Sequence, residues 1–284
     1  MAIGWVIDHP AHARLFAPLM REMSNPNDVI IACDRIEVRS MIEQSDGFLP
    51  RRKTVWVPRP VGKNRFRKAL ARYRISRKAL KNIELVISVG APIELKAAPK
   101  KSRRVYITDT EINHIAHKYS KPTDIVIPSH FEDKLSGNLL QKKAVIHRIS
   151  GLHGHAHLQP RMRPNQVSNP PKILMRKLLG DGIHDDGEIV EFPDAWLNGL
   201  NIINANENEY SAHPWKLDEE ISNCDGVITQ SVTLASEAAI LGVPTLLISN
   251  AKRGFLNRLQ EDGYPIFISN EADESTYAAW LAGL

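Results

Sequence analysis

Asp8, His9 and His12 follow directly on the apolar run IGWVI, with Pro10 among them. A histidine changes charge near neutral pH, so His12 at the start of a helix could take up a proton there. The plainer alternative is that His9 and His12 cap that helix and pack. A second group stands in VYITDTEINHIAHK, where Asp109, Glu111, Asn113, His114 and His117 crowd a strand–helix junction. Capping by Asp109 or Thr110, with acids favouring the helix dipole, is the structural alternative there. The third stretch is CDGVITQSVTLASEAAILGVPTLLI, which reads strand, polar turn, helix, Gly-x-Pro, strand. The hydroxyls of Thr229, Ser231 and Thr233, with the N–H groups at the helix start, could bind phosphate. Glu237, about one turn on, could accept two hydrogen bonds from ribose hydroxyls. An N-capped helix with an exposed Glu237 is the alternative. Arg176 ends the run KILMR, where a guanidinium would suit a diphosphate.

These residues need elements to position them. In the first half IGWVI, DVIIAC, VWVP, ELVISV, RVYIT and DIVIPS are short, apolar, β-branched runs, and helical patterns lie between several of them. Residues 151–172 contain four prolines and little periodicity, which reads as a linker. The alternation then resumes with KILMR, EIVEF, NIINA, DGVITQ, PTLLIS and PIFIS as strands. Apolar strands alternating with helices imply parallel sheets covered on both faces. The expectation is an α/β chain of two Rossmann-like domains, 1–160 and 161–284, whose parallel sheets face a central cleft. Ligands of such sheets bind at the carboxyl ends of the strands.

The composition is that of a globular protein, 43% hydrophobic and 24% charged. No run approaches the ~20 apolar residues of a membrane span, and Met1 leads into a strand pattern rather than a signal peptide. A cytoplasmic protein is expected. Cys33 and Cys224 read as buried small hydrophobes. The net charge of +5 is concentrated in KNRFRKALARYRISRKALK, residues 63–81, which contain no acid. Such a stretch implies an anionic partner or a solvated helix face. Nucleic acid is the less expected partner, since no aromatic-rich basic motif accompanies the charge. His153, His155 and His157 would face one way on a strand and suggest zinc, but the glycines and Pro160 argue for a loop. Asp181, His184, Asp185 and Asp186 read as a turn rather than a metal site. No metal or cofactor is implied.

The order of motifs resembles an uncharacterised prokaryotic family of GT-B glycosyltransferase-like proteins related to UDP-N-acetylglucosamine 2-epimerase. It is carried by DHPAHARLF, by TDTEINHIAHKYSKPTDIVIPSHF, by SGLHGHAHLQP, by ILMR and by EAAILGVP, and it spans most of the chain. The resemblance implies a GT-B-like fold and a nucleotide-sugar-dependent glycosyltransferase, with a glycan or lipid-linked acceptor. It implies a nucleotide sugar, UDP-linked in the epimerases, bound by Arg176, Ser231, Thr233 and Glu237, with His213 or Trp215 in the loop that contacts the base. In a transfer His12 would be the base for the acceptor hydroxyl. In the related epimerases an acid of the corresponding loop moves a proton, so Asp109 or Glu111 would be the general acid or base. A UDP-sugar 2-epimerase-like enzyme, a nucleic-acid-binding basic protein and a non-catalytic nucleotide-sugar-binding subunit are the alternatives. Arg67, Arg74, Arg77 and Lys81, near one face of the basic helix, would contact the acceptor or the surface of an anionic membrane. The phosphate turn departs from the family's glycine-rich form: Gln230, Ser231 and Val232 stand there. Either their side chains crowd the diphosphate, or Ser231 and Thr233 replace the amide contacts.

Overall fold

A computed structural model describes residues 1–23, 25–151, 153–161, 166–178, 189–206 and 213–284. The chain forms two compact units, Met1–His157 and Leu158–Leu284. Among the described residues no helix is long and apolar enough to cross a membrane.

The first unit carries strands β1 (Ile3–Ile7), β2 (Val29–Cys33), β3 (Lys53–Val57), β4 (Leu85–Val89), β5 (Arg103–Ile107), β6 (Asp124–Pro128) and β7 (Val145–Ile149). Helices α1 (Pro10–Met23), α2 (Ile36–Glu43), α3 (Arg65–Ala79), α4 (Pro92–Ala97) and α5 (His114–Tyr119) connect them. The sheet order is β3-β2-β1-β4-β5-β6-β7, and every pairing is parallel. Chain order reverses between β1 and β4, so the crevice beyond their carboxyl ends is where such a sheet binds ligands. β1, β2 and β4 are buried along their whole length, because helices cover both faces. Trp5 anchors this core: its ring meets Phe16 edge-on at 5.4 Å, and its indole N–H donates to Asp28 at 3.0 Å. β7 is a strand the sequence pattern did not reveal. It is the sheet edge, carries His147 and Arg148, and leaves Val145, Ile146 and Ile149 exposed, so it has neither an apolar run nor an alternating one.

The second unit has strands β8 (Lys172–Arg176), β9 (Asn201–Asn204), β10 (Gly226–Thr229), β11 (Thr245–Ile248) and β12 (Ile266–Ser269). Its helices are α6 (Leu217–Ser222), α7 (Val232–Ile240), α8 (Gly254–Glu261) and α9 (Glu274–Ala282). The parallel order is β12-β11-β10-β8-β9, with the switch point between β8 and β10. The fold is therefore α/β with two Rossmann-like parallel sheets.

Two expected elements differ. The described part of EIVEF, residues 189–192, is not a strand: Ile189 makes a single antiparallel bridge to Ser249, and Phe192 turns to stack on Trp196 in the core. The Val190 carbonyl accepts from the Gln230 amide at 2.9 Å, so a side chain takes the place of a neighbouring strand. The basic helix ends at Ala79, and the fully buried Leu80 closes it. Lys81 is exposed and lies in the turn just beyond the helix.

Candidate functional site

In the first unit the candidate residues gather beyond the carboxyl ends of β1 and β5. Asp8 follows β1 at the switch point, and its carboxylate accepts from the Arg72 guanidinium at 2.8 Å. Arg72 is 2% exposed and is held from behind by Glu94, itself 0% exposed, through a two-pronged pair of 2.7 and 3.0 Å. Ser76 adds a hydroxyl donor to the same Glu94 oxygen at 3.1 Å. The basic stretch thus hides one ion that is not a surface charge. Burial by itself would raise the Asp8 pKa, but Arg72 and then His12 outweigh it and hold the group at about 2. Asp8 is an anion throughout the neutral range.

The histidines after β1 are fixed by the backbone. His9 Nδ1 accepts from the Ala11 N–H at 3.3 Å, which satisfies part of the start of α1, a helix with no acid in its first turn. His12 Nδ1 accepts from the Asp8 N–H at 3.2 Å, which leaves the ring proton on Nε2. Burial, the neighbouring His153, and Arg35 and Arg72 push the His12 pKa down to about 3 against the pull of Asp8. At neutral pH His12 is a neutral ring that donates from Nε2. His153 stacks obliquely at 6.5 Å from His12, donates from Nε2 to the Ala11 carbonyl at 3.2 Å, and turns Nδ1 toward Asp109 at 3.7 Å. Asp8, His12, His153 and Asp109 therefore form one connected group.

The two acids of the second motif part company. Asp109 is reachable, with 27% of its side chain exposed, and accepts from the Thr110 hydroxyl at 3.2 Å. Glu111 is 1% exposed and holds the loop after β6 by accepting from the Glu132 N–H at 3.2 Å. Capping of α5 falls to Asn113, whose side chain accepts from the Ala116 N–H, and not to Asp109 or Thr110. His117 is a core group: fully buried, edge-on to Tyr106 at 6.0 Å, its pKa pushed down to about 4 chiefly by burial. His155 lies within a short 3-10 turn, Gly154–Ala156, and His153 and His157 flank it, so the one-sided spacing of a strand does not arise. Among the described residues no three potential ligands could hold a metal ion. Asp181, His184, Asp185 and Asp186 lie outside the described residues, as do residues 207–212 of the loop before His213.

In the second unit Arg176 and Thr229 are register partners at the carboxyl ends of β8 and β10, on either side of the switch point. Thr229 ties the two ends together, donating its hydroxyl to the Arg176 carbonyl at 3.1 Å and accepting from the Ser231 N–H at 2.9 Å. The Arg176 guanidinium is braced by the Ala205 carbonyl at 2.6 Å. Ser231 is the N-cap of α7, accepting from the Leu234 N–H, so the N–H groups of Val232 and Thr233 precede the first intrahelical bond. Thr233 is exposed on that first turn. Glu237 lies one turn on and is 3% exposed, not a surface residue. Gln230 does not crowd the turn. Its side chain is buried, accepting from the Leu178 N–H at 2.8 Å and donating to the Val190 carbonyl. His213 accepts from the Trp215 N–H and opens a 3-10 turn that buries Trp215.

Sequence reasoning missed the roles of Arg72 and Glu94, and it placed Gln230 in the turn without seeing that it is a brace. A faint signal existed for the first pair: Arg72 and Ser76 are four apart on a helix with few apolar residues to face inward, and Glu94 stands alone in an apolar segment. Gln230 left none.

No protein-family model matches the chain, and no curated protein matches it. Solved structures do. UDP-GlcNAc 2-epimerase from Methanocaldococcus jannaschii aligns with a TM-score of 0.62 at 11% identity, over 99% of this chain and 92% of that one. UDP-GlcNAc 2-epimerase from Neisseria meningitidis, bound to UDP-GlcNAc, aligns at 0.57 and 12% identity over 99% and 90%. Arabidopsis thaliana UGT89C1 complexed with UDP-L-rhamnose aligns at 0.58 and 11% identity over 100% and 90%. At such identities the likeness is one of fold, and it is nearly complete in length. The chain thus has the GT-B-like fold of two Rossmann-like units found in these UDP-GlcNAc 2-epimerases and in UGT89C1.

Proposed function

We propose that this protein is an enzyme acting on a UDP-sugar, with the diphosphate on the second unit and the proton chemistry carried by the first. The observation that supports this most is the pairing of Arg176 with Thr229 at the switch point, directly before the Ser231-capped start of α7. An arginine ending one strand and a helix N-terminus following its neighbour, both at the carboxyl edge of the sheet, suit a diphosphate. Glu237 then accepts from ribose hydroxyls, and His213 borders the base.

Glycosyl transfer to a glycan or lipid-linked acceptor is one chemistry for such a site. It needs a base for the acceptor hydroxyl, the role assigned to His12. Burial, and then His153 beside it, lower the His12 pKa, which weakens the ring as a base at neutral pH. The likeness to UDP-GlcNAc 2-epimerase structures supports the epimerase-like reading, in which a carboxylate takes the proton from carbon 2, the C–H electron pair forms the double bond to carbon 1, and UDP leaves as the anion before both are added back. Asp109 is accessible enough to do so, with His153 at its side and Glu111 holding the loop. His12 then donates from Nε2 to a developing negative charge.

Thermal shifts with UDP, GDP and CDP sugars test the binding reading, with Glu237→Gln as the control variant. A ligand that binds only the folded chain raises its apparent stability. Selective stabilisation by a UDP-sugar, weakened in E237Q, is expected; no shift with any nucleotide overturns the proposal. Incubation in deuterated water separates the chemistries. Deuterium entering carbon 2 of the sugar marks epimerisation, and UDP release without exchange that depends on an added glycan or lipid-linked acceptor marks transfer.

A further inference from the structure

We propose that the outward face of α3 seats the protein on an anionic lipid bilayer. The proposal stands apart from the reading of the nucleotide chemistry.

The inward face of α3 is already occupied. Arg72 and Ser76 point to Glu94, and Leu80 is fully buried at the end of the helix. That lock fixes which residues face out. At 100° per residue, Phe66, Leu70, Arg74 and Arg77 follow one another along a single stripe, and Arg67 and Lys78 flank it. Phe66 is 77% exposed and Leu70 is 49% exposed. Arg67, Arg74, Arg77 and Lys78 are exposed as well. The helix contains no acid, and Lys63 and Lys81 extend the charge at its two ends. Arg65 lies over the Phe66 ring at 5.0 Å and Arg77 donates to the Tyr73 hydroxyl at 3.1 Å, so neither cation is neutralised by these contacts.

Charge alone would suit any polyanion. The apolar pair decides between them. A nucleic-acid backbone gives Phe66 and Leu70 nothing to bury against, whereas a bilayer accepts both at the boundary of headgroups and acyl chains. The arginines alongside have stems long enough to keep their guanidinium groups among lipid phosphates while the apolar side chains enter. The surface is therefore matched to a membrane by charge and by apolarity together.

The test is co-sedimentation of the full-length protein with phosphatidylcholine vesicles, with and without phosphatidylglycerol. Binding to the anionic vesicles alone, weakened by salt, is expected. Each basic residue at such a surface is worth about fivefold in partitioning, so R67Q/R74Q/R77Q should lose on the order of a hundredfold. F66S/L70S, which keeps every charge, should lose roughly tenfold, because apolar area no longer leaves water. All of these side chains are exposed, and unchanged circular dichroism confirms that each variant folds. Equal binding to neutral and anionic vesicles overturns the proposal, as does no binding to either. Binding to RNA or heparin that F66S/L70S leaves intact, with vesicle binding equally indifferent to that change, also overturns it and makes the helix a general polyanion surface.

Discussion

Replacing Arg72 by methionine is the sharpest test of how the first unit holds its candidate site. The change removes a guanidinium that makes two bonds to Glu94 and one to Asp8. Glu94 is 0% exposed and would remain as a buried carboxylate with only the Ser76 hydroxyl beside it. Removing one partner of a buried ion pair costs about 3–5 kcal/mol, because the other charge stays out of water. At about 2–4 °C per kcal/mol for a unit of this size, the midpoint should fall by roughly 6–20 °C. Thermal and urea denaturation at fixed pH, followed by circular dichroism, measure the midpoint and the free energy. The pH dependence adds a second reading. In the native protein the Asp8 pKa is depressed from 3.8 to about 2, so its contribution is present above pH 3.8 and fades as pH falls toward 2. In R72M the orphaned carboxylates gain pKa instead, so acid relieves the variant while it weakens the parent. The gap between the two should close as pH falls. R72M/E94M, which removes the buried charge with its partner, should recover most of the loss. A cost below about 1 kcal/mol for R72M, or a gap that does not change with pH, would refute the reasoning.

Other outcomes follow from the same geometry. His12 should stay neutral, with its proton on Nε2, across pH 5–8 in imidazole NMR; a midpoint near 6.5 would show that its surroundings do not depress it. Because its folded pKa lies near 3 and its ordinary value is 6.5, His12 contributes stability above pH 6.5 that declines as pH falls through that window. Gln230→Gly would bring the turn closer to a glycine-rich form yet should destabilise the second unit by about 1–3 kcal/mol, since the Leu178 N–H and Val190 carbonyl lose their partner. Denaturation of Q230G reads this, and an unchanged midpoint would mean that Gln230 holds nothing. Asp109→Asn should abolish deuterium exchange into a bound UDP-sugar while sparing UDP binding. Loss of both would place Asp109 in nucleotide binding instead.

The sequence by itself determined the fold class and the places where the chain could do chemistry. Alternating β-branched runs and helices can bury their apolar faces only as covered parallel sheets, and residues just after such strands fall at one sheet edge whatever the details. That is why Asp8, Asp109, Arg176 and Ser231 were legible as candidates from local pattern. Tertiary structure alone decided what each can do. Residues 63–81 read as uniformly basic, yet Arg72 is an internal ion because Glu94, distant in sequence, is brought beneath it. His12 reads as an ordinary titrating histidine, yet burial, and then His153 from the loop after β7, suppress its charge. Gln230 reads as an intruder in a phosphate turn, yet strand ends that meet only in the folded sheet turn it into a brace. Proton affinity and burial depend on charges and dielectric contributed by residues far along the chain, and no local spacing records them.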